Sequence, residues 1–148
     1  MMNERINDFC AEAKLMAEQH GFHEGWTKSR NMAEVSGGEF GVEKEEIDHA
    51  YFAKSIALIQ SELSEALEAD RHGNHASLPK FFKAKNKDGQ PFEEAFKANV
   101  KDTVEDELAD AMIRIFDLCG FLNIDLQQHI TLKMMYNSAR PRLHGKKY

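Results

Sequence analysis

The 148-residue chain is predicted to be all-α. Three observations carry that expectation: apolar residues recur at three- and four-residue spacing through four long stretches, runs with the alternation of a strand are few, and helix breakers are sparse, with 3 Pro and 9 Gly in the whole chain. The length suits one domain, residues 1–148, with room for a core.

The first helix is expected over about Asn3 to His20, where Ile6, Phe9, Cys10, Ala13 and Met16 form one stripe and Gly21 can end it. Residues 21–42 read as irregular, punctuated by Gly25, Gly37, Gly38 and Gly41. Their aromatics Phe22, Trp26 and Phe40 suit either anchoring a loop on the core or stacking on a base. A second helix follows from about Glu43 to Arg71 with Ile56, Ile59, Leu63 and Ala66 or Leu67 on one face, ended by Gly73. The basic stretch from His72 to Gln90, broken by Pro79 and Lys87-Asp88-Gly89, reads as an exposed loop with a short helical turn at Phe81-Phe82. Pro91 suits the start of a third helix. This helix is expected to run unbroken through Phe96, Val100, Val104, Leu108, Ala111, Ile115 and Leu118 to Gly120 as terminator. The fourth starts at Asp125 as N-cap with Gln128 at N3, a variant capping box, and stops near Ala139 before Pro141. Four amphipathic helices with long connections read as a bundle.

Composition narrows the function. The formal net charge of −6 argues against a nucleic-acid polymer as partner. No apolar run reaches membrane-spanning length, and Met1-Met2-Asn3-Glu4 opens no signal-peptide pattern, so no membrane partner and a cytoplasmic location are expected. Cys10 and Cys119 lie in apolar helical patterns and are expected as buried free thiols. The charge is uneven. Lys133, Arg140, Arg142, Lys146 and Lys147 close the chain with no acidic residue among them, against an acidic remainder. Such a split suits solubility or a helix dipole, and also a metal–phosphate ligand, which needs carboxylates for its cation and cations for its phosphates.

Two short patterns concentrate the chemistry: Glu62-Leu63-Ser64-Glu65 on the second helix and Glu107-Leu108-Ala109-Asp110 on the third. Residues three apart on a helix are neighbours on one face, so each pattern presents a carboxylate pair. Both pairs are embedded in apolar stripes, and apart from Arg114 next to Asp110 neither has a compensating Lys or Arg in its own stripe. Facing each other, Glu62, Glu65, Glu107 and Asp110 would repel and would be penalised by desolvation; a divalent cation relieves both. An all-oxygen set favours Mg²⁺ or Mn²⁺ over zinc. Either pattern alone is common on solvated helices. On the fourth helix Lys133, Tyr136, Asn137 and Arg140 share one face, suited to phosphates and a nucleoside or to plain solvation, while Met134 and Met135 are assigned to the core.

At these residues the sequence resembles the MazG-like superfamily of all-α nucleoside triphosphate pyrophosphohydrolases, which includes the dimeric dUTPases and dCTP pyrophosphatases. The stretch from Leu58 to Glu68 fits the first half of the family's Glu-x-x-Glu … Glu-x-x-Asp pattern, and Glu105 to Arg114 fits the second. Lys133, Asn137, Arg140-Pro141 and His144-Gly145-Lys146 resemble the ending of bacterial and phage members. The likeness covers roughly residues 50–148, with the core motif region at about 50–140 and a basic tail at 141–148. The 41 residues between Glu65 and Glu107 exceed the usual spacer, so residues 72–90 look like a loop insertion. The resemblance implies a four-helix MazG-like bundle with an N-terminal helix, assembled as a homodimer or homotetramer. It implies Mg²⁺-dependent cleavage of a (d)NTP between the α- and β-phosphates to (d)NMP and pyrophosphate, in nucleotide-pool house-cleaning. Glu62, Glu65, Glu107 and Asp110 would hold the metal and act in catalysis. Lys133, Tyr136, Asn137, Arg140 and Lys146 would bind substrate.

Two other readings compete. A helical oligomerisation or interaction module would use the same apolar stripes without metal. A carboxylate-bridged di-iron bundle needs two Glu-x-x-His patterns, and only Glu46-Ile47-Asp48-His49 supplies one. No Gly-rich phosphate loop is present.

Overall fold

The computed structural model describes residues 5–36 and 43–140. Seven helices and no strand occur among the described residues: α1 (Arg5–Gln19), α2 (Glu24–Ser36), α3 (Lys44–Arg71), α4 (Leu78–Asn86), α5 (Phe92–Asn99), α6 (Val104–Phe121) and α7 (Leu126–Ser138). The all-α class is as expected. Gly37, Gly38, Phe40 and Gly41, Lys146 and the whole basic tail 141–148 lie outside the described residues.

Helix α6 is the centre of the molecule, packed by α1 on one side and α3 on the other. It runs antiparallel to α3: Ile59 packs against Leu118, Arg114 reaches Glu62, and the Val104 amide donates to the Asn74 carbonyl (3.1 Å). It runs antiparallel to α1 as well: Asn7 meets Asp125 just past the end of α6, the Cys10 backbone lies against Gly120, and Ala13 and Ala17 line one cavity with Asp110 and Ile113. Gly120 was expected as a helix terminator. It lies inside α6 instead, where the missing Cβ admits the α1 backbone; the chain turns only after Phe121, with Asn123 left-handed (φ 54°). Cys10 and Cys119 are buried free thiols at this crossing, as their apolar stripes predict.

The stretch expected to be irregular folds as α2. The reason is Trp26, which is 3% exposed in a core with Ile59 and Leu118, stacks on Tyr51 (5.5 Å), packs against Phe121 and donates Nε1–H to Asp48 (2.6 Å). One large anchored ring suffices to dock a short helix whose sequence has little amphipathic pattern. Phe22 is exposed, so of the two described aromatics of this stretch Trp26 is the anchor, with Arg30 paired to Asp48 beside it.

Within the expected loop at 72–90, the short helical turn expected at Phe81-Phe82 is a nine-residue helix, α4. Pro79 does not break it, because it occupies the first turn, where a missing N–H costs nothing. Phe81 and Ala84 pack on Ala95 of α5, with Phe96 and Val100 alongside, so α4 and α5 form a helical hairpin with its own apolar centre; Gly89 (φ 70°) makes the turn.

The expected continuous third helix is broken between α5 and α6. Asp102 is left-handed (φ 59°), and Thr103 caps α6 by accepting from the Asp106 amide (3.3 Å) while the Asp106 carboxylate accepts from the Asp102 amide (3.0 Å). Thr103-x-x-Asp106 is a variant of the capping box, its return bond made to the amide before the N-cap, and the apolar periodicity across it concealed it. Helix α7 begins as expected, with Asp125 accepting from the Gln128 amide (3.0 Å). It has no buried residue: Leu132, Met134 and Met135 are exposed, so the two methionines are not core within the single chain. No helix among the described residues is long and apolar enough to cross a membrane.

Candidate metal centre

The antiparallel pairing of α3 and α6 brings the two acidic patterns face to face. Oxygens of Glu62, Glu65 and Glu107 lie within 4.8 Å of one another. Glu62 and Glu107 are each only 7% exposed, while Glu65 sits at the open edge, steadied by Ser61 Oγ donating to it (3.1 Å). A second group, Asp102, Asp106 and Glu107, meets the same distance and shares Glu107 with the first. Neither Asp102 nor Asp106 was legible as a site residue in sequence. Both belong to the cap of α6, and the capping box was the signal that would have brought them next to Glu107.

Asp110 lies one helical turn beyond Glu107, outside the three-oxygen group but within the field of Glu62 and Asp106. Two cations sit on these groups: Arg114 Nε donates to Glu62 Oε1 at 2.5 Å, and Lys101 pairs with Asp102. The sequence pairs Arg114 with Asp110 along α6; the fold gives it chiefly to Glu62 across the helix pair.

The electrostatics follow from this crowding. Burial, then the charges of Glu65 and Glu62, push the Glu107 carboxyl above its ordinary value. Burial, then Asp106 and Glu62, push Asp110 up, with Arg114 and Lys101 opposing. A carboxyl raised in the folded state binds more protons there than when unfolded. The metal-free protein is therefore expected to lose stability as pH rises from the unfolded carboxylate range through these raised values, and to gain it on mild acidification. Divalent cation reverses the preference by favouring the ionised forms. Isothermal titration of Mg²⁺ in the mildly acidic range, in buffers of different ionisation enthalpy, should show proton release on binding that fades as pH rises. A heat independent of buffer throughout that range would remove Glu107 from the groups that titrate with the metal.

Beside the cluster, between α1, α2, α3 and α6, lies a cavity of about 330 Å³ lined by the aromatics Trp26 and Tyr51, by Lys54, His20 and Arg114, and by Asp110. His23 there holds Asp117 (2.7 Å). Trp26 is thus the core anchor, and its ring also borders this cavity. On the other side of α6, under the α4–α5 hairpin, a second cavity of about 630 Å³ is also lined by Asp110.

The structure does not bring the α7 stripe to the cluster within one chain. Glu107 is in the first turn of α6, and α7 starts beyond the other end, roughly 20 Å along the axis at 1.5 Å per residue. Lys133 and Arg140 instead sit over the Tyr136 ring (5.2 and 5.8 Å), and α7 is tied to α1 through Asn7 and Asp125 (2.9 Å). Asn137 is exposed on the same helix. Glu46 and His49, the di-iron pattern, are both exposed on α3 and belong to neither acidic group among the described residues.

No family model, no curated protein and no solved structure matches this chain.

Proposed function

We propose that the chain is a Mg²⁺-dependent nucleotide pyrophosphohydrolase of the MazG-like kind, cleaving the anhydride between α- and β-phosphates. The observation that carries the reading is the convergence of Glu62, Glu65 and Glu107 from two helices into one all-oxygen group, with Glu107 pushed toward protonation by burial and then by the charges of Glu65 and Glu62. Buried carboxylates without enough cations fit a hard divalent ion such as Mg²⁺ or Mn²⁺. When bound, that ion supplies charge neutralisation at the phosphates as the anhydride breaks.

The chain's own groups do the rest. Glu65, the exposed member, is the carboxylate best placed to accept a proton from an attacking water. Arg114 and Lys54 line the adjoining cavity and complement phosphate oxygens, while Trp26 and Tyr51 offer ring faces to a base. Homo-oligomerisation is part of the proposal: Leu63 and Leu67 on α3 and Leu108 and Met112 on α6 are exposed on one flank of the helix pair, and α7 has nothing buried. A second copy covering that flank would shelter these side chains and allow Lys133, Tyr136, Asn137, Arg140 and Lys146 of one subunit to reach the site of another. The location is proposed as cytoplasmic.

The test is a screen of ribo- and deoxynucleoside triphosphates with Mg²⁺ or Mn²⁺, separating monophosphate and pyrophosphate from free phosphate. The expected result is metal-dependent pyrophosphate release. No metal-dependent cleavage of any nucleotide would leave the chain an interaction module.

A further inference from the structure

The α4–α5 hairpin creates a feature that triphosphate cleavage does not use. Asp110 and Ile113, one turn apart on α6, line both cavities, so the two chambers adjoin at Asp110, one helical turn from Glu107. The chambers differ in chemistry. The first offers Lys54, His20 and Arg114 together with aromatic rings. The second is mostly apolar, walled by Leu78, Pro79, Phe96, Val100 and Ala109. Its charged members are all acidic, Glu105, Asp106 and Asp110, and no Lys, Arg or His lines it.

A leaving pyrophosphate would fare badly in that second chamber. Its negative charges would face three carboxylates and apolar walls, where desolvation is costly and like charges repel. A neutral or cationic ring suits the same walls, and the volume of about 630 Å³ lies within the range of small-molecule sites. We propose, building on the pyrophosphohydrolase reading, that the preferred substrate is a dinucleotide whose two nucleosides are joined through a pyrophosphate bridge. One nucleoside occupies the Trp26–Tyr51 chamber, the bridge crosses at Asp110 beside the acidic cluster, and the second nucleoside fills the chamber under α4–α5.

The reaction balances with water alone. Water oxygen bonds to one phosphorus of the bridge, and the P–O bond from that phosphorus to the bridging oxygen breaks. The bridging oxygen stays on the other phosphate, and the two protons of water end on the two monophosphates or in solvent.

The experiment compares the full chain with Mg²⁺ on P1,P2-diadenosine diphosphate, nicotinamide adenine dinucleotide and ATP, products separated by chromatography. Expected are two monophosphates from at least one dinucleotide, with kcat/KM at least tenfold above that for ATP. In parallel, emission of Trp26, the single tryptophan, is titrated with Ca²⁺ replacing Mg²⁺; the dinucleotide should saturate at lower concentration than AMP. Ala109→Phe fills the second chamber, and Leu78→Asp places a carboxylate there at the first position of α4, where an acidic residue suits the helix. Each should reduce the dinucleotide-to-ATP ratio at least tenfold. Cleavage of ATP with no cleavage of dinucleotides overturns this proposal and leaves the hydrolase reading standing. Cleavage of neither overturns both. An unchanged ratio in folded Ala109→Phe and Leu78→Asp overturns it, as does a change of assembly state in place of the ratio, which would make the chamber an interface between copies.

Discussion

Glu107→Gln is expected to cut metal-dependent turnover at least about 100-fold while raising the thermal midpoint of the metal-free protein. The turnover estimate is a lower bound, because even residues one shell removed from a metal are worth roughly 10–100-fold. Glu107 is the residue common to both acidic groups, so its loss weakens either arrangement of ions. The stability gain has a separate cause. The carboxyl is buried and faces Glu65, Glu62, Asp106 and Asp110, and the charged form is disfavoured in the fold. Gln keeps the shape and removes the charge. Glu62→Gln should abolish turnover as well but stabilise the metal-free chain less, since it also removes the ionic partner of Arg114. Asp110→Asn, whose carboxyl is raised too, should follow Glu107→Gln in direction. The checks are initial rates with Mg²⁺ and melting followed by helical circular dichroism in chelator at pH 7. A Glu107→Gln protein that melts lower and still turns over would refute the acidic cluster as the working site. This opposition between function and stability separates a metal site from a solvated acidic face, where neutralising one carboxylate changes little.

The largest effect on folding is expected at Gly120. A Cβ there would stand 2.3 Å from the Cys10 carbonyl oxygen and 3.0 Å from its carbonyl carbon, and both are backbone atoms of α1. No rotamer change relieves that clash; α1 and α6 must move apart along a crossing that also buries Cys10 and Cys119. Overpacking in a core costs about 1–3 kcal/mol, and a backbone clash belongs at the upper end. For a chain of this size that corresponds to a fall in midpoint of roughly 10 °C. Gly73→Ala is the control. Its glycine is left-handed with open space around it, so the cost there is conformational only, on the order of 1 kcal/mol. Equal midpoints for the two variants would mean that α1 and α6 do not pack as closely as described.

The elements that were legible before any coordinates were those with strong local signals. Helix α3 carries a stripe from Ile56 to Leu67, and the limits of its 28 residues fall within a residue of expectation. The start of α7 was announced by Asp125 and Gln128. The misreadings share one cause, that breaks and short helices are decided by a few contacts rather than by periodicity. Helix α2 depends on Trp26 finding Ile59, Leu118 and Tyr51, which are 25 to 92 positions away. Pro79 looked like an interruption and proved to be a first-turn proline, because Phe81 and Ala84 had Ala95 to pack against. The apolar stripe across Val100 and Val104 hid the Thr103 cap. Gly120, read as a stop, was a contact.

The sequence by itself determined the all-α class, the two carboxylate pairs and their placement on the same faces of two helices, since a spacing of three residues needs no tertiary information to be read. Only the tertiary structure decided that these faces meet, that Arg114 serves Glu62, that Asp102 and Asp106 join through the cap of α6, and that a hairpin shapes a second chamber beside Asp110. The reason is that helical periodicity is local. The meeting of two faces depends on which apolar stripes bury one another, and that choice is made by the whole chain at once.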